Sequence, residues 1–188
     1  MHWLKKLWDF IWHDDSALSW IVNIVLALVL VKFVIYPGLG LIFMTSHPLV
    51  AVVSGSMEHN NFEFDDWWSQ KGSWYIDNGI SKEGFRDFSF KNGFSKGDIM
   101  VLRGSKELKV GDVVVFNRDG NSPPIIHRLV KTNSFLQTKG DNNNAIHDFE
   151  SNIPKENIIG KAVLRIPYLG YVKILFVDLI WNPIKSVL

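Results

Sequence analysis

The chain has no cysteine. That absence removes disulfides, thiolate nucleophiles and cysteine-ligated zinc from the available chemistry. It says little about compartment, because a disulfide-free protein can still face an oxidising exterior. An excess of one charge is missing too: 20 Lys and Arg stand against 19 Asp and Glu, a net charge of +1. With no large basic cluster, nucleic acid is not an expected partner. There is no internal repeat and no βαβ rhythm. At 188 residues the chain has room for one globular domain and an anchor, but hardly for two full domains.

What is present begins with tryptophan. Four of the eight, Trp3, Trp8, Trp12 and Trp20, fall in the first twenty residues. Their amphipathic rings suit a membrane–water boundary. Trp3, Leu4, Leu7, Trp8, Ile11 and Trp12 recur at helical spacing, with Lys5, Lys6 and Asp9 between them. Residues 1–15 therefore read as an amphipathic helix lying in the interface, or alternatively packed on a soluble domain. From Ala17 to Ile35 the chain is nearly all apolar, interrupted by Ser19, Asn23 and Lys32. Roughly 20 such residues cross a hydrocarbon layer of about 30 Å, so 16–36 is expected to be a transmembrane anchor. A buried core helix or a cleaved signal peptide would share the composition, but no small-x-small site follows closely. Tyr36-Pro37-Gly38 is expected to end the helix. Lys5 and Lys6 precede the span, and no Lys or Arg lies between Lys32 and Lys71. A single pass with a cytoplasmic N-terminus and an external or lumenal body is the expected topology.

Past the span, short β-rich runs alternate with turn residues: Leu49 to Val53, Asp98 to Arg103, Asp112 to Asn117, Ile125 to Val130, Phe135 to Thr138 and Ile158 to Ile166. Arg118-Asp119-Gly120-Asn121 reads as a hairpin turn. The fold class is therefore mainly β, a sandwich or partly open barrel over 47–171, with an N-terminal transmembrane helix. Residues 59–96 show no clear period and are expected to form an inserted loop or small hairpin. The 172–188 tail is apolar but carries Lys173, Asp178 and Pro183, and is too short to span, so it is expected at the interface.

Chemistry concentrates in three places. Ser56 follows a strand and a glycine that lets the backbone turn and present the hydroxyl. His127 sits in an otherwise apolar strand, where its ring must find partners. Asp141 and Asp148 flank a run of asparagines. Each alone has a bland reading: a loop serine, a structural histidine, a solvated turn. Together they read as a membrane-anchored serine hydrolase, in which a base must take the hydroxyl proton. Two other readings stay open. His127, His147, Asp141 and Asp148 could form a nitrogen–oxygen metal set, and the chain could be a non-enzymatic β module or accessory subunit.

The ordered motifs Ser54-Gly55-Ser56-Met57-Glu58, Ile126-His127-Arg128, Thr138-Lys139-Gly140-Asp141-Asn142-Asn143 and Ile166-Pro167-Tyr168-Leu169-Gly170 resemble type I signal peptidases of the archaeal and endoplasmic-reticulum kind. The resemblance runs from about Leu49 to Tyr171 outside the insertion. It implies Ser56 as nucleophile, His127 as general base, and Ser54 with the Ser56 N–H as oxyanion donors. It implies an orienting aspartate slightly beyond the Gly-Asp-Asn-Asn motif, where Asp148 is the nearest match, one residue late, and Asp141 the competitor. His59 stands where the family commonly has proline. His59 and His147 could serve as bases, but neither lies in a strand. The implied substrates are signal peptides of preproteins, cut after small residues, with membrane lipid and a secretion translocon as surroundings. No cofactor or metal is implied.

Overall fold

The computed structural model describes residues 2–118 and 122–176. Of the turn expected at 118–121 only Arg118 is described, and the tail beyond 176 lies outside the described residues. The chain divides into two compact units, Met1–Ile42 and Phe43–Leu188.

In the first unit α1 (His2–His13) precedes α2 (Ala17–Leu30), a π-helical turn (Val31–Ile35) and α3 (Tyr36–Phe43). The last three form one continuous apolar helix of 27 residues, Ala17–Phe43, long enough to cross a membrane. Ser16 caps it, accepting from the Ser19 N–H. Two of the polar residues in the apolar run, Ser19 and Asn23, have partners at the end of α1. Ser19 Oγ donates to Phe10 O at 2.7 Å, and Asn23 Nδ2 donates to Ile11 O at 2.9 Å. They satisfy carbonyls that a helix end leaves open. Tyr36-Pro37-Gly38 does not end the helix as expected. The π turn just before it carries a Tyr36 N–H to Val31 O bond, and this local widening takes up a proline that lacks a donor and crowds the preceding turn.

The second unit is built on six antiparallel strands: β1 (Leu49–Ala51), β2 (Ile99–Arg103), β3 (Val113–Phe116), β4 (Ile125–Thr132), β5 (Leu136–Lys139) and β6 (Ile158–Ile166). Their order is β1-β2-β6-β3-β4-β5, an open sheet rather than a closed barrel. All six β-rich runs form strands. β3 is buried throughout because the sheet is covered on both faces. Val113 and Val115 join Met57, Met100, Leu102 and Ile126 in one cluster, while Val114 and Phe116 join Leu129, Leu136 and Ile153 in another. That division follows the period of two.

The insertion departs from expectation. It holds two helices, α4 (Phe64–Asp77) and α5 (Lys82–Arg86), not a loop or hairpin. Phe64, Trp67, Trp68 and Tyr75 of α4 pack with Ile80, Phe85 and Val130 of β4 in a third cluster. Gly72 hid the helix from view, since a mid-helix glycine costs about 1 kcal/mol of intrinsic preference. The position requires it: a Cβ there would come within 2.6 Å of the Trp68 indole. Asp65 and Asp66 in the first turn complement the positive helix end. Beyond β6, α6 (Gly170–Phe176) completes the described chain.

Candidate active site

Ser56 lies in the turn after β1, anchored on either side by Val52 and Met57, both fully buried. The Glu58 N–H closes the turn on Gly55 O at 3.1 Å, and the Phe94 N–H reaches Met57 O at 3.1 Å. From across the site the Asn142 N–H donates to Ser56 O at 2.8 Å, and Asn142 Nδ2 donates to Gly55 O at 3.1 Å. The serine turn is thus held through its carbonyls, leaving the hydroxyl half-buried and available. Ser54 Oγ, on the exposed side, lies 3.1 Å from Ser56 Oγ.

His127 is in β4 opposite Val114 of β3. Its Nε2 is 2.9 Å from Ser56 Oγ, and its Nδ1 is 2.5 Å from Glu150 Oε1. Glu150 closes a short 3-10 turn, Asp148–Glu150, and is wholly buried. Its Oε1 also accepts from Thr138 Oγ1 at 3.1 Å, and its Oε2 accepts from the His147 N–H at 3.0 Å. Burial opposes ionisation of this carboxyl, but the His127 hydrogen bond and charge, with the His147 and Thr138 donors, outweigh it and hold its pKa below the usual 4.5. An ionised Glu150 requires the His127 proton on Nδ1, leaving the Nε2 lone pair facing the serine hydroxyl. Hydroxyl, imidazole and carboxylate form one hydrogen-bonded line, the arrangement that can activate an oxygen nucleophile.

Asp141 serves elsewhere. It accepts from Arg128 Nε at 2.9 Å and Nη2 at 2.7 Å, from Tyr75 OH at 2.9 Å, and pairs with His59 Nε2 at 3.2 Å. Burial opposes its charge, yet Arg128 and His59 hold the carboxyl well below the ordinary range.

The chain is similar over most of its length to catalytic subunits of the signal peptidase complex. The Sclerotinia sclerotiorum protein of that description is 31% identical over 187 residues, covering 92% of this chain and 88% of the relative. Those of Scheffersomyces stipitis and Leptosphaeria maculans are 31% and 32% identical, covering 78% and 79% of this chain and 75% of each relative. The chain belongs to the family of signal peptidase complex catalytic subunits. No family model matches it.

Family membership does not choose the carboxylate, and here the geometry corrects the expectation. Neither Asp148 nor Asp141 is hydrogen-bonded to His127; that place is taken by Glu150. Asp148 opens the 3-10 turn and is exposed, two residues from Glu150 on a turn with a period of three. Asp141 follows the strand that brings Thr138 to the site, but its carboxylate is turned toward Arg128. His147 stacks on Phe149 at 5.3 Å, and His59 stacks on Trp67 at 3.8 Å, so neither approaches Ser56 in the manner of His127. Among the described residues no group of three or more His, Cys, Asp or Glu converges to hold a metal ion, so His127, His147, Asp141 and Asp148 do not form a ligand set.

Two residues of the candidate site are not singled out by the sequence. Glu150 is not one of the aspartates that the resemblance points to, although His147-Asp148-Phe149-Glu150 carries the spacing of a capping box. Asn142 looked like part of a solvated turn, yet it holds Gly55 and Ser56. Gly140 is required by close approach. A Cβ on it would lie 2.8 Å from Ser56 O and 2.9 Å from His127 Nε2.

Proposed function

We propose that this chain is a membrane-anchored serine endopeptidase that removes N-terminal signal peptides from preproteins, with Ser56 as nucleophile, His127 as general base and Glu150 as the orienting carboxylate. The observation that carries the reading is the 2.9 Å approach of His127 Nε2 to Ser56 Oγ with a buried carboxylate behind the ring. Ser56 Oγ attacks the scissile carbonyl carbon as its proton passes to Nε2. The tetrahedral intermediate collapses, the C–N bond breaks, and Nε2 returns the proton to the leaving amine. Water then hydrolyses the acyl-enzyme by the same route, with His127 again as base. Glu150 keeps the ring in the required tautomer and stabilises its cationic form. Ser54 Oγ and the Ser56 N–H are the oxyanion donors, and losing one such donor costs about 3 kcal/mol.

The relatives are named as subunits of a complex, which supports an assembly of this chain with other subunits in the endoplasmic-reticulum membrane. The 27-residue apolar helix is the anchor, with Lys5 and Lys6 on the cytoplasmic side. A substrate held in the same membrane by its own signal helix meets a tethered enzyme at raised effective concentration. The site reads small residues one and three positions before the cut.

The test is cleavage of a radiolabelled preprotein by membranes carrying the full-length chain. Ser56→Ala and His127→Ala should each lower turnover by about 10⁶-fold, the loss typical of removing a triad nucleophile or base. Cleavage retained by either variant overturns the assignment.

A further inference from the structure

The helical insertion reaches the site through Lys71, which lies beside Lys139 of β5. Lys71, half-buried on α4, donates from Nζ to Asn142 O at 3.0 Å and to Asn144 Oδ1 at 2.7 Å. Lys139, buried at the end of β5, donates to Gly140 O at 3.0 Å and to Asn143 O at 2.7 Å. Behind it stand two rings of α4, Trp74 at 5.2 Å and Tyr75 at 4.7 Å. The 140–144 turn is therefore held by ammonium–oxygen bonds from Lys71 of the insertion and from Lys139 of β5. On its other side the same turn meets the catalytic groups: Asn142 bonds Ser56 O and Gly55 O, and Gly140 packs against His127.

We propose that α4 is a working part of the active site and that Lys71 is a positioning residue, fixing Asn142 and through it the seat of Ser56 against His127. The inference rests on Ser56 being the nucleophile. The carbonyls of a tight turn need donors, and a charged donor gives stronger, more directional bonds than water would. A half-exposed lysine adds little to folding stability. Its value here is geometric, because a displacement of about 1 Å at reacting groups can cost up to about 100-fold in rate. Asn142 is the coupling point: its carbonyl faces Lys71 while its N–H and side-chain amide face the serine turn. The rings of α4 act in the same sense by keeping Lys139 over the neighbouring carbonyls.

The experiment compares Lys71→Met, Lys71→Arg and Ser56→Ala in the full-length chain in its membrane, with initial rates on a preprotein substrate and thermal melting. Lys71→Met keeps the stem and removes the donors. It should lower kcat about tenfold with KM changed by less than about twofold, and move Tm by less than about 2 °C. Lys71→Arg, which retains cationic donors, should recover most of the rate. Lys71→Met with undiminished kcat beside an inactive Ser56→Ala overturns the positioning role and leaves the active-site assignment standing. Equal losses in both Lys71 variants, with Tm falling in parallel, reduce Lys71 to a structural residue and also overturn it. An active Ser56→Ala removes the assignment beneath the inference.

Discussion

His127 and His59 each pair with a buried carboxylate, Glu150 at 2.5 Å and Asp141 at 3.2 Å. The residue types are nearly the same in the two places and the chemistry is not. The far nitrogen of His127 meets a serine hydroxyl. That of His59 is buried with no hydrogen-bond partner among the described residues, and its ring lies flat on Trp67. Glu150 is approached by polar donors and one imidazole, so its charge is directed along the His127 ring. Asp141 is saturated by the Arg128 guanidinium and the Tyr75 hydroxyl. A carboxylate neutralised by a fixed cation steadies the fold, whereas one whose main charged partner is an imidazole can stabilise a proton that comes and goes. The two pairs are kept apart by one residue of β4. His127 and Arg128 are adjacent, and strand alternation sends them to opposite faces.

The largest effect that separates the pairs should come from Glu150→Gln, which keeps the shape and removes the charge. Loss of the orienting carboxylate in a triad typically costs about 10⁴-fold in turnover, to be measured as kcat with preprotein substrate. Unchanged turnover in Glu150→Gln with slow Asp148→Ala would return the role to Asp148. The same substitution bears on acid stability. The Glu150 carboxyl titrates below its ordinary 4.5 in the folded chain. Its contribution is therefore present above 4.5 and lost as pH falls through the lower folded value. Glu150→Gln should melt with a shallower acid dependence in that range.

The second pair is sharpened by Arg128→Met. It leaves Asp141 buried without its cation, and breaking a buried pair costs about 3–5 kcal/mol, read from the denaturant midpoint. Cleavage per folded molecule should fall far less than in Glu150→Gln, and a loss as large as that of Glu150→Gln would erase the distinction between the pairs. The smallest effect is expected for Asp148→Ala. With an exposed side chain, stability should change by less than about 0.5 kcal/mol, and turnover by less than about twofold.

Legibility along the chain followed the range of the interactions. The six strands were visible because apolar runs bounded by turn residues report local burial directly. The apolar helix was visible for the same reason, but its continuation through Pro37 was not, since the π turn that absorbs the proline has no composition signal. The helical insertion was hidden by Gly72, a residue chosen for contact with Trp68 rather than for helix preference. Ser56 and His127 stood out as a hydroxyl after a glycine turn and a polar ring in an apolar strand. Glu150 did not, because which of the two neighbouring carboxylates is turned toward His127 depends on contacts with distant segments.

The order of residues alone determined which runs are strands, where an apolar helix lies, and which side chains could carry a proton. Those follow from periodicity and composition, which act over a few residues. Which carboxylate faces His127, which one Arg128 neutralises, and which turn α4 steadies were decided only by tertiary packing. Such pairings depend on distances between segments far apart in the chain, and a two-residue step around a tight turn is enough to exchange a buried acceptor for an exposed one.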